Sequence, residues 1–311
     1  MKDLTIIKFE NFLKKFKKSS IGPIDFEIKQ NRIVAFLGSS GSGKTVILNS
    51  LIGATKKYKG DIFIEDSNRK KISNHILNKQ IGIYIQMDFS LYDMKAYNFL
   101  KTMASIYGVK KDLIKERVKY WMEYFNLWES KDKSLKNFSW GMKNRINFIL
   151  CFLKDPNIII MDEPGANLDS IWRNKVKNLL IKFKQEGKTI IFTVHNIDEM
   201  TDIIDDYIII EKGKLIFLGS KEELNIYNKY KLFLDSEFDV KELRNFLDRH
   251  NIKSFKFDLQ ENSIVIATNN TKEINWLFLF FLKKNIPIKN LVKLPVNMES
   301  IHKALESKTG I

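Results

Sequence analysis

The fold is decided by residues 38–45, which read Gly38-Ser39-Ser40-Gly41-Ser42-Gly43-Lys44-Thr45. They match the phosphate-binding loop pattern G-x-x-x-x-G-K-[ST] at every fixed position. Residues 32–37 before the loop are apolar and partly β-branched, as in a buried parallel strand, and residues 46–51 after it can continue as a helix. A strand, a glycine-rich loop and a helix in this order predict an α/β sheet that binds phosphate groups.

The residue types in this loop have chemical reasons. Its glycines let backbone N–H groups turn inward and cradle phosphates at a helix N-terminus. We expect Lys44 to reach the β- and γ-phosphates of a nucleotide and the Thr45 hydroxyl to bind Mg²⁺. A glycine-serine loop that matches by chance is the alternative, and the flanking strand and helix weigh against it.

A second apolar run, residues 157–161, ends in two carboxylates, Asp162 and Glu163. Asp162 would lie at the carboxyl edge of the sheet beside the loop, where it can hold Mg²⁺ directly or through water. Glu163 follows at once and points the other way from the strand, which suits a residue that polarises an attacking water. The alternative is a solvated acidic loop, which the phosphate-binding loop upstream disfavours.

These residues resemble the pattern of the ATP-binding-cassette (ABC) ATPases, and the chain carries further motifs of that family in order. Gln86 resembles the Q-loop glutamine, and residues 138–145, Phe-Ser-Trp-Gly-Met-Lys-Asn-Arg, resemble the signature motif. Residues 166–169, Ala-Asn-Leu-Asp, are similar to the D-loop, and His195 falls on the switch histidine. Phe16 lies where the family stacks an aromatic ring on adenine, with Phe12 nearby as the alternative. The resemblance covers about residues 1–220.

The resemblance implies an ATPase that uses ATP and Mg²⁺, with the α/β fold of a P-loop NTPase cassette, an antiparallel β edge subdomain and a helical insertion. It implies a catalytic set of Glu163, His195, Gln86 and Asp169 and a metal-binding set of Thr45, Gln86 and Asp162. In this family two cassettes sandwich two nucleotides, and a signature binds phosphate on the other subunit. The implied nucleotide contacts are Phe16, Gly38, Ser39, Ser40, Gly41, Ser42, Gly43, Lys44 and Thr45, with Ser139 and Gly141 acting across the dimer.

Three positions depart from the family pattern. Trp140 replaces the usual first glycine of the signature pair, and Asn167 replaces the usual D-loop glycine. Tyr97 stands where relatives commonly carry glutamate. We expect Trp140 to affect the efficiency of the signature and Tyr97 to reflect a particular membrane partner.

Residues 142–145 also resemble the signature helix of drug, peptide and polysaccharide exporters of the ABC-2 type, in which the membrane domain is a separate chain. We therefore expect a separate transmembrane permease, a second ATPase subunit in a homodimer, and a cytoplasmic position on the inner face of the cell membrane. No nucleic acid partner is expected. Two alternatives are a soluble cassette ATPase acting on ribosomes or DNA and a nucleotide-gated scaffold without turnover. Glu163 and His195 argue against the scaffold.

Composition sets further bounds. The 311 residues carry a formal net charge of +15, which could meet anionic lipid or nucleic acid, although lysine is frequent throughout the chain. Cys151 is the single cysteine, and we expect it to be a buried thiol. The longest apolar stretch, Trp276–Leu282, has seven residues, whereas a bilayer span needs about 20. The N-terminal residues lack the apolar segment of a signal peptide.

The order of apolar runs predicts two domains. Residues 1–224 would form the nucleotide-binding domain, with an edge subdomain in residues 1–30 and a helical subdomain in about residues 88–150. Residues 225–311 would form a small α+β accessory domain in the order β-α-β-β-α-β. There, residues 271–284 read as a helix that is apolar nearly all round, which predicts burial on more than one side or an interface. A last helix is expected at 297–307.

Overall fold

The computed structural model describes residues 4–73, 76, 78–165, 168–194, 200, 202–224, 228–252, 254–268, 270–294 and 301. Within these residues the chain forms two compact units, the first ending at Lys221 and the second beginning at Glu222. His195, Asn167 and nearly all of the helix expected at 297–307 lie outside the described residues.

The first unit combines ten strands with a set of helices. Its strands are β1 (Thr5–Lys15), β2 (Ser20–Lys29), β3 (Ile33–Leu37), β4 (Lys59–Ile64), β5 (Ser67–Asn68), β6 (Ile81–Tyr84), β7 (Ile158–Met161), β8 (Thr189–Thr193), β9 (Asp206–Glu211) and β10 (Lys214–Ser220). Its α-helices are α1 (Lys44–Leu51), α2 (Ala96–Ile106), α3 (Ile114–Tyr124), α4 (Trp140–Phe152) and α5 (Ser170–Gln185). A single helical turn, α6 (Lys221–Leu224), follows β10 and contains the boundary between the two units.

A six-stranded sheet in the order β10-β9-β3-β8-β7-β6 forms the centre of this unit. Strands β9, β3, β8, β7 and β6 are parallel, and β10 pairs antiparallel with β9. Every residue of β3, β7 and β8 is buried, as their continuous apolar, β-branched sequences predict for strands covered on both faces. The carboxyl ends of these three neighbouring strands therefore meet at one edge.

A second, antiparallel sheet has the order β2-β1-β4-β5. Its apolar side packs with α1 and the central sheet into one core that includes Phe9, Phe12, Ile47 and Phe36. The two strands expected in residues 1–30 belong to this sheet, and β4 and β5 from further along the chain also belong to it. The apolar run predicts a strand at Leu4–Phe9, but β1 continues to Lys15, because a bulge at Asn11, with φ of 48°, interrupts the apolar alternation without ending the pairing.

The helical segment packs through aromatic side chains. Ring centroids lie 5.4 Å apart between Trp121 of α3 and Phe152 of α4, and 5.1 Å apart between Phe152 and Phe183 of α5. Helix α4 also lies directly on β6, since a Cβ at Gly82 would come within 2.4 Å of the Cys151 carbonyl oxygen. Glycine at this position therefore lets the helix that begins with the signature residues approach the sheet closely.

The second unit is an antiparallel sheet with two helices. It comprises β11 (Asn228–Leu234), α7 (Val240–Arg249), β12 (Phe255–Asp258), β13 (Ser263–Thr268), α8 (Thr271–Lys283) and β14 (Ile288–Leu294), with the sheet order β12-β13-β11-β14. Leu277 and Phe281 of α8 are buried, whereas Leu279 and Leu282 are 43% and 67% exposed. Helix α8 also packs against α7, because the His250 and Trp276 rings stack at 3.8 Å. The helix is therefore covered on two sides and exposed on a third, and its role in an interface stays a prediction.

Candidate functional site

The loop after β3 has the backbone that its sequence predicts. Gly38, Gly41 and Gly43 have φ values of 152°, 77° and 115°, which side chains with a Cβ rarely adopt. A Cβ at Gly38 would lie 2.0 Å from the Ile210 carbonyl oxygen of the neighbouring strand β9. Only glycine therefore fits where the loop leaves the sheet, and α1 begins at Lys44, directly after Gly43.

Lys44 lies within its own loop. Its side chain donates to the carbonyl oxygens of Gly38, at 2.7 Å, and Ser39, at 3.0 Å, and the residue is only 5% exposed. Burial lowers the pKa of its ammonium group, and the nearby carboxylates of Glu163, Asp162 and Glu211 oppose that shift. The site thus holds one buried cation facing three acidic side chains.

The two carboxylates after β7 are positioned by Thr193, the last residue of β8. The Thr193 hydroxyl donates to Asp162 Oδ1 at 2.5 Å and accepts from the Glu163 backbone N–H at 2.9 Å. Glu163 has φ of 50°, so its side chain does not follow the alternation of the strand. The sequence reasoning missed Thr193, although its place at the end of an apolar strand just before His195 was a usable signal.

A cleft of about 550 Å³ lies over the loop. Phe16 and Glu163 line it together with Ser19, Ser20, Ile21, Ser40, Gly41, Gly43, Lys44, Thr45, Val46, Lys212 and Gly213. Of the two candidate rings for adenine, Phe16 is 46% exposed in this cleft, whereas Phe12 is fully buried in the core with Phe9. A flat apolar ring at one end and the phosphate-binding loop at the other give the cleft the character of a nucleotide site.

Glu211, at the end of β9, is another residue that sequence reasoning missed. Its Oε1 accepts from the Ser39 hydroxyl at 2.9 Å, and its Oε2 is buried without a hydrogen-bond partner in the described part of the chain. The turn after it also contacts the loop, because the Gly213 N–H donates to the Ser42 carbonyl oxygen at 3.0 Å. Parallel pairing of β9 with β3 brings these residues together, which the linear sequence does not reveal.

Other predicted site residues lie outside the cleft lining. Gln86 follows β6 and is exposed, and Ser139 and Gly141 are exposed at the start of α4. Ser139 is the N-cap of α4, where its hydroxyl accepts from the Met142 N–H at 3.3 Å. A Cβ at Gly141 would meet nothing within 4 Å, so open space surrounds the start of this helix.

The signature helix contacts the segment that resembles the D-loop. The Arg145 guanidinium lies 4.6 Å from the centre of the Trp172 ring, and the backbone N–H of Trp172 donates to Asp169 Oδ1 at 2.8 Å. Burial lowers the pKa of Arg145, and the Asp169 carboxylate opposes that shift. Asp169 therefore caps α5 as its N-cap residue, close enough to Arg145 for the two charges to interact.

The oxygen atoms beside the phosphate-binding loop are suitable ligands for the Mg²⁺ ion of a bound nucleotide. Within the described residues there is no group of three or more His, Cys, Asp or Glu side chains that could hold a metal by themselves. Mg²⁺ does not need such a cage, because it keeps several waters and takes one or two carboxylates with substrate phosphates. Asp162 and the Thr45 hydroxyl supply oxygens of this kind beside the loop. Among the described helices, none is both long and apolar enough to cross a bilayer.

Comparison with known proteins agrees with this geometry. The family model described as "ABC transporter" matches residues 21–166. An uncharacterized ABC transporter ATP-binding protein of Methanocaldococcus jannaschii is 31% identical over 232 residues, which cover 74% of this chain and 83% of that protein. The energy-coupling factor transporter ATP-binding protein EcfA2 of Clostridioides difficile is 29% identical over 86% of this chain and 93% of its own length.

A solved structure resembles the same part of the molecule. The cbiO1 protein of Clostridium perfringens, described as part of the ABC transporter complex cbiONQ, superimposes with a TM-score of 0.61 at 26% identity. The match covers 71% of this chain and 90% of that protein. The phosphate-binding loop, the paired carboxylates and these relatives lead to one conclusion: the chain belongs to the ATP-binding proteins of ABC transporters and is the ATPase subunit of a transporter.

Proposed function

We propose that this ATPase powers an exporter by ATP-driven closure of a dimer on a separate transmembrane subunit. The observation that carries the proposal is an incomplete site. Phe16, Lys44 and Glu163 line one cleft, whereas Ser139 and Gly141 are exposed outside it. A second copy of the chain would supply the missing signature residues.

Each residue of the cleft has a separate role in ATP hydrolysis. Phe16 stacks on the base, and the N–H groups of the loop and the Lys44 ammonium hold the phosphates. Glu163 orients the attacking water. Bound Mg²⁺, held by Thr45 and Asp162 with Gln86 assisting, would offset charge on the phosphate oxygens. His195 is assigned to the γ-phosphate by resemblance alone.

Closure would bring a helix N-terminus onto the nucleotide. The hydroxyl of Ser139 accepts one hydrogen bond inside its own helix and can still donate its proton to a phosphate oxygen. The N–H groups at the start of α4, that of Gly141 included, carry the positive end of the helix dipole. The space around Gly141 admits a ligand held by a second subunit.

The membrane partner would dock beside the Q-loop. Four apolar side chains are exposed there, namely Ile85 (50%), Leu91 (94%), Tyr92 (40%) and Met94 (44%). Exposed apolar patches of this kind mark sites of protein association. Docking on a permease would hold the ATPase at the inner face of the cell membrane.

Export, rather than another transport task, rests on the resemblance of residues 142–145 to ABC-2 exporters. An energy-coupling factor transporter is the second candidate, because the relative with that description matches over 86% of this chain. To separate the two candidates, the ATPase is reconstituted with its permease in vesicles and the direction of ATP-dependent substrate transport is measured. Transport away from the ATPase side indicates an exporter, and transport toward it indicates an importer.

The experiment that tests the dimer uses Glu163→Gln. We expect this variant to bind ATP while its turnover falls by about 10²-fold or more, because the water loses its orienting carboxylate. It should therefore accumulate an ATP-bound dimer, measured by light scattering with ATP and Mg²⁺.

Adding Ser139→Ala should reduce that dimer, whereas Ser254→Ala, at an exposed position of the second unit, should not. Near-normal phosphate release by Glu163→Gln would assign the catalytic carboxylate elsewhere. An ATP-bound variant that stays monomeric would contradict closure between two copies.

A further inference from the structure

A second polar cavity lies at the opposite end of α1 from the phosphate-binding loop. Its volume is about 590 Å³, and its wall includes Thr55, Lys56, Tyr58, Arg69, Lys70 and Ser73. We call it the basic cavity, because three of the described residues that line it are cationic and none is acidic. Helix α1 has eight residues, so the two sites are separated by about 12 Å of helix.

Arg69 forms the buried wall of the basic cavity and is only 4% exposed. Its Nε donates to the Leu51 carbonyl oxygen at 2.8 Å, and its Nη2 donates to that of Ile52 at 2.5 Å. These two bonds cover the negative C-terminal end of α1, which would otherwise repel an anion. Its Nη1 is buried and has no hydrogen-bond partner in the described part of the chain.

The charge of Arg69 is also not balanced by a carboxylate. Arg69 Nη2 also donates to the Asn78 side-chain oxygen at 3.2 Å, and within the described residues no carboxylate acts on the pKa of its guanidinium, which burial lowers. A guanidinium stays protonated under such a shift, so the cavity keeps a buried positive charge. Buried charges in proteins are normally paired, which makes this one unusual.

Tyr58 presents a second unmet polar group. Its hydroxyl is buried without a partner in the described part of the chain, and burial raises its pKa, so it remains a protonated donor. The Lys70 ammonium lies 4.8 Å from the centre of the Tyr58 ring. Lys70 also bonds the Gly60 carbonyl oxygen and lies 3.6 Å from Asp61, a half-exposed residue outside the cavity wall.

We propose that the basic cavity binds a phosphate-bearing ligand at a site separate from the nucleotide cleft. Lys56 and Lys70 provide charge at the exposed mouth, and the hydroxyls of Thr55 and Ser73 provide further donors. Arg69 and Tyr58 behind them hold the donors that the protein leaves unpaired. Several charge-assisted hydrogen bonds from one concave wall suit the three oxygens of a phosphate group.

Titration with inorganic phosphate, followed by calorimetry and by ³¹P NMR, tests the site. The double variant Lys56→Gln/Lys70→Gln should weaken phosphate binding in the basic cavity at least tenfold. Its charge-matched control, Lys59→Gln/Lys111→Gln, changes two exposed lysines outside the cavity wall and should bind as the unchanged protein does. Tyr58→Phe, which removes only the hydroxyl, should also weaken phosphate binding in the basic cavity.

Lys44→Ala separates the basic cavity from the nucleotide cleft. Phosphate binding that survives Lys44→Ala and is lost in Lys56→Gln/Lys70→Gln supports the proposal. Binding that Lys44→Ala abolishes and the cavity variants leave intact would overturn it, as would equal losses in the cavity variant and its charge-matched control.

Flotation with lipid vesicles shows whether the phosphate group belongs to a lipid headgroup or to a free phosphate compound. If a lipid headgroup is the ligand, the protein should float with phosphatidylglycerol vesicles and not with phosphatidylcholine vesicles, and Lys56→Gln/Lys70→Gln should release it. If the ligand is a free phosphate compound, inorganic phosphate should bind in the cavity while flotation is unchanged by that variant. Absence of both effects would refute the site.

Discussion

At the residue scale, the two carboxylates after β7 depend on a hydroxyl from a neighbouring strand. Thr193 accepts the Glu163 N–H with the same oxygen that donates to Asp162. One buried side chain thus fixes the backbone of one acid and the side chain of the other. Its effect on chemistry would be indirect, because it positions the groups that face the nucleotide and the water.

Thr193→Val, which keeps the shape and removes the hydroxyl, should lower the free energy of unfolding by about 1–3 kcal/mol, because it leaves the Glu163 N–H unpaired. We also expect kcat to fall by about tenfold, since Glu163 loses its fixed backbone. The measurements are urea denaturation and steady-state ATPase assays.

Thr189→Val is the matched control, because Thr189 lies at the other end of β8 and accepts from the Asn31 N–H at 3.1 Å. Thr189→Val should destabilise the protein without lowering kcat. Thr193→Ser keeps the hydroxyl and should therefore have nearly the kcat of the unchanged protein. Equal loss of kcat in Thr189→Val and Thr193→Val would leave Thr193 with a structural role only.

The sequence made some of these residues predictable and hid others for a physical reason. Residues 38–45 form one continuous motif, and residues 162–163 directly follow an apolar strand. Local sequence pattern was therefore enough to place both segments at one edge of a parallel sheet. Thr193 and Glu211 join them only through the pairing of β8 and β9 with β3, which follows from sheet order. The assigned roles of the site residues stay predictions.

At the element scale, the start of α4 combines a satisfied cap with a large exposed ring. Ser139 caps the helix, and Trp140 beside it is 55% exposed. A side chain at the start of a helix can turn outward without moving its own N–H. We therefore expect Trp140 to leave in place the groups of Ser139 and Gly141 that are proposed to bind phosphate.

Trp140→Gly should change the ATPase rate of the isolated protein by less than about tenfold, or 1.4 kcal/mol of barrier. Steady-state phosphate release with matched protein concentrations measures this. A rise of a hundredfold or more would contradict the outward position and identify the ring as a brake between the subunits.

Tyr97 lies at the start of α2, close to the patch beside the Q-loop. Its ring packs at 5.7 Å on Trp128, and the Lys101 ammonium lies 4.6 Å from its centre. Tyr97→Ala should weaken copurification with the membrane partner, because it removes an aromatic surface next to the exposed patch, while nucleotide affinity is unchanged. Tyr120→Ala, at an exposed tyrosine of α3, is the control. Undiminished copurification of Tyr97→Ala would exclude this docking position.

Elements were predictable where one periodicity dominated. Apolar groups at helical spacing predict helices at 96–107 and 140–153, and the structure has α2 and α4 there, each ending one residue earlier. Strand β1 was underestimated because the Asn11 bulge breaks its alternation. For α8, the apolar composition predicts burial on more than one side or an interface, and the structure covers it by the sheet and by α7 while Leu279 and Leu282 stay exposed.

At the scale of the whole molecule, Cys151 offers a probe of the first unit. It is fully buried in α4, and burial raises the pKa of its thiol far above the usual value. In the native protein it should therefore resist a thiol-reactive dye, and its labelling rate should follow the opening of the unit with increasing urea. Glu163→Gln trapped with ATP should label more slowly than without nucleotide. Rapid labelling in native buffer would show that α4 separates from the sheet without unfolding.

The fold class could be predicted because the order of motifs along the chain corresponds to a fixed order of strands and helices. The edge sheet was harder, because β4 and β5 lie beyond the phosphate-binding loop in sequence and return to pair with β1. Such long-range pairing depends on the whole core rather than on local propensity.

The hydrogen bonds of Lys44 with its own loop have a kinetic consequence. The ammonium donates to the Gly38 and Ser39 carbonyl oxygens, so the loop itself holds its cation in place. A preformed receptor has little ordering left to do on binding. We therefore expect diffusional encounter to limit nucleotide capture and, in the proposed dimer cycle, the meeting and parting of subunits to be the slow events.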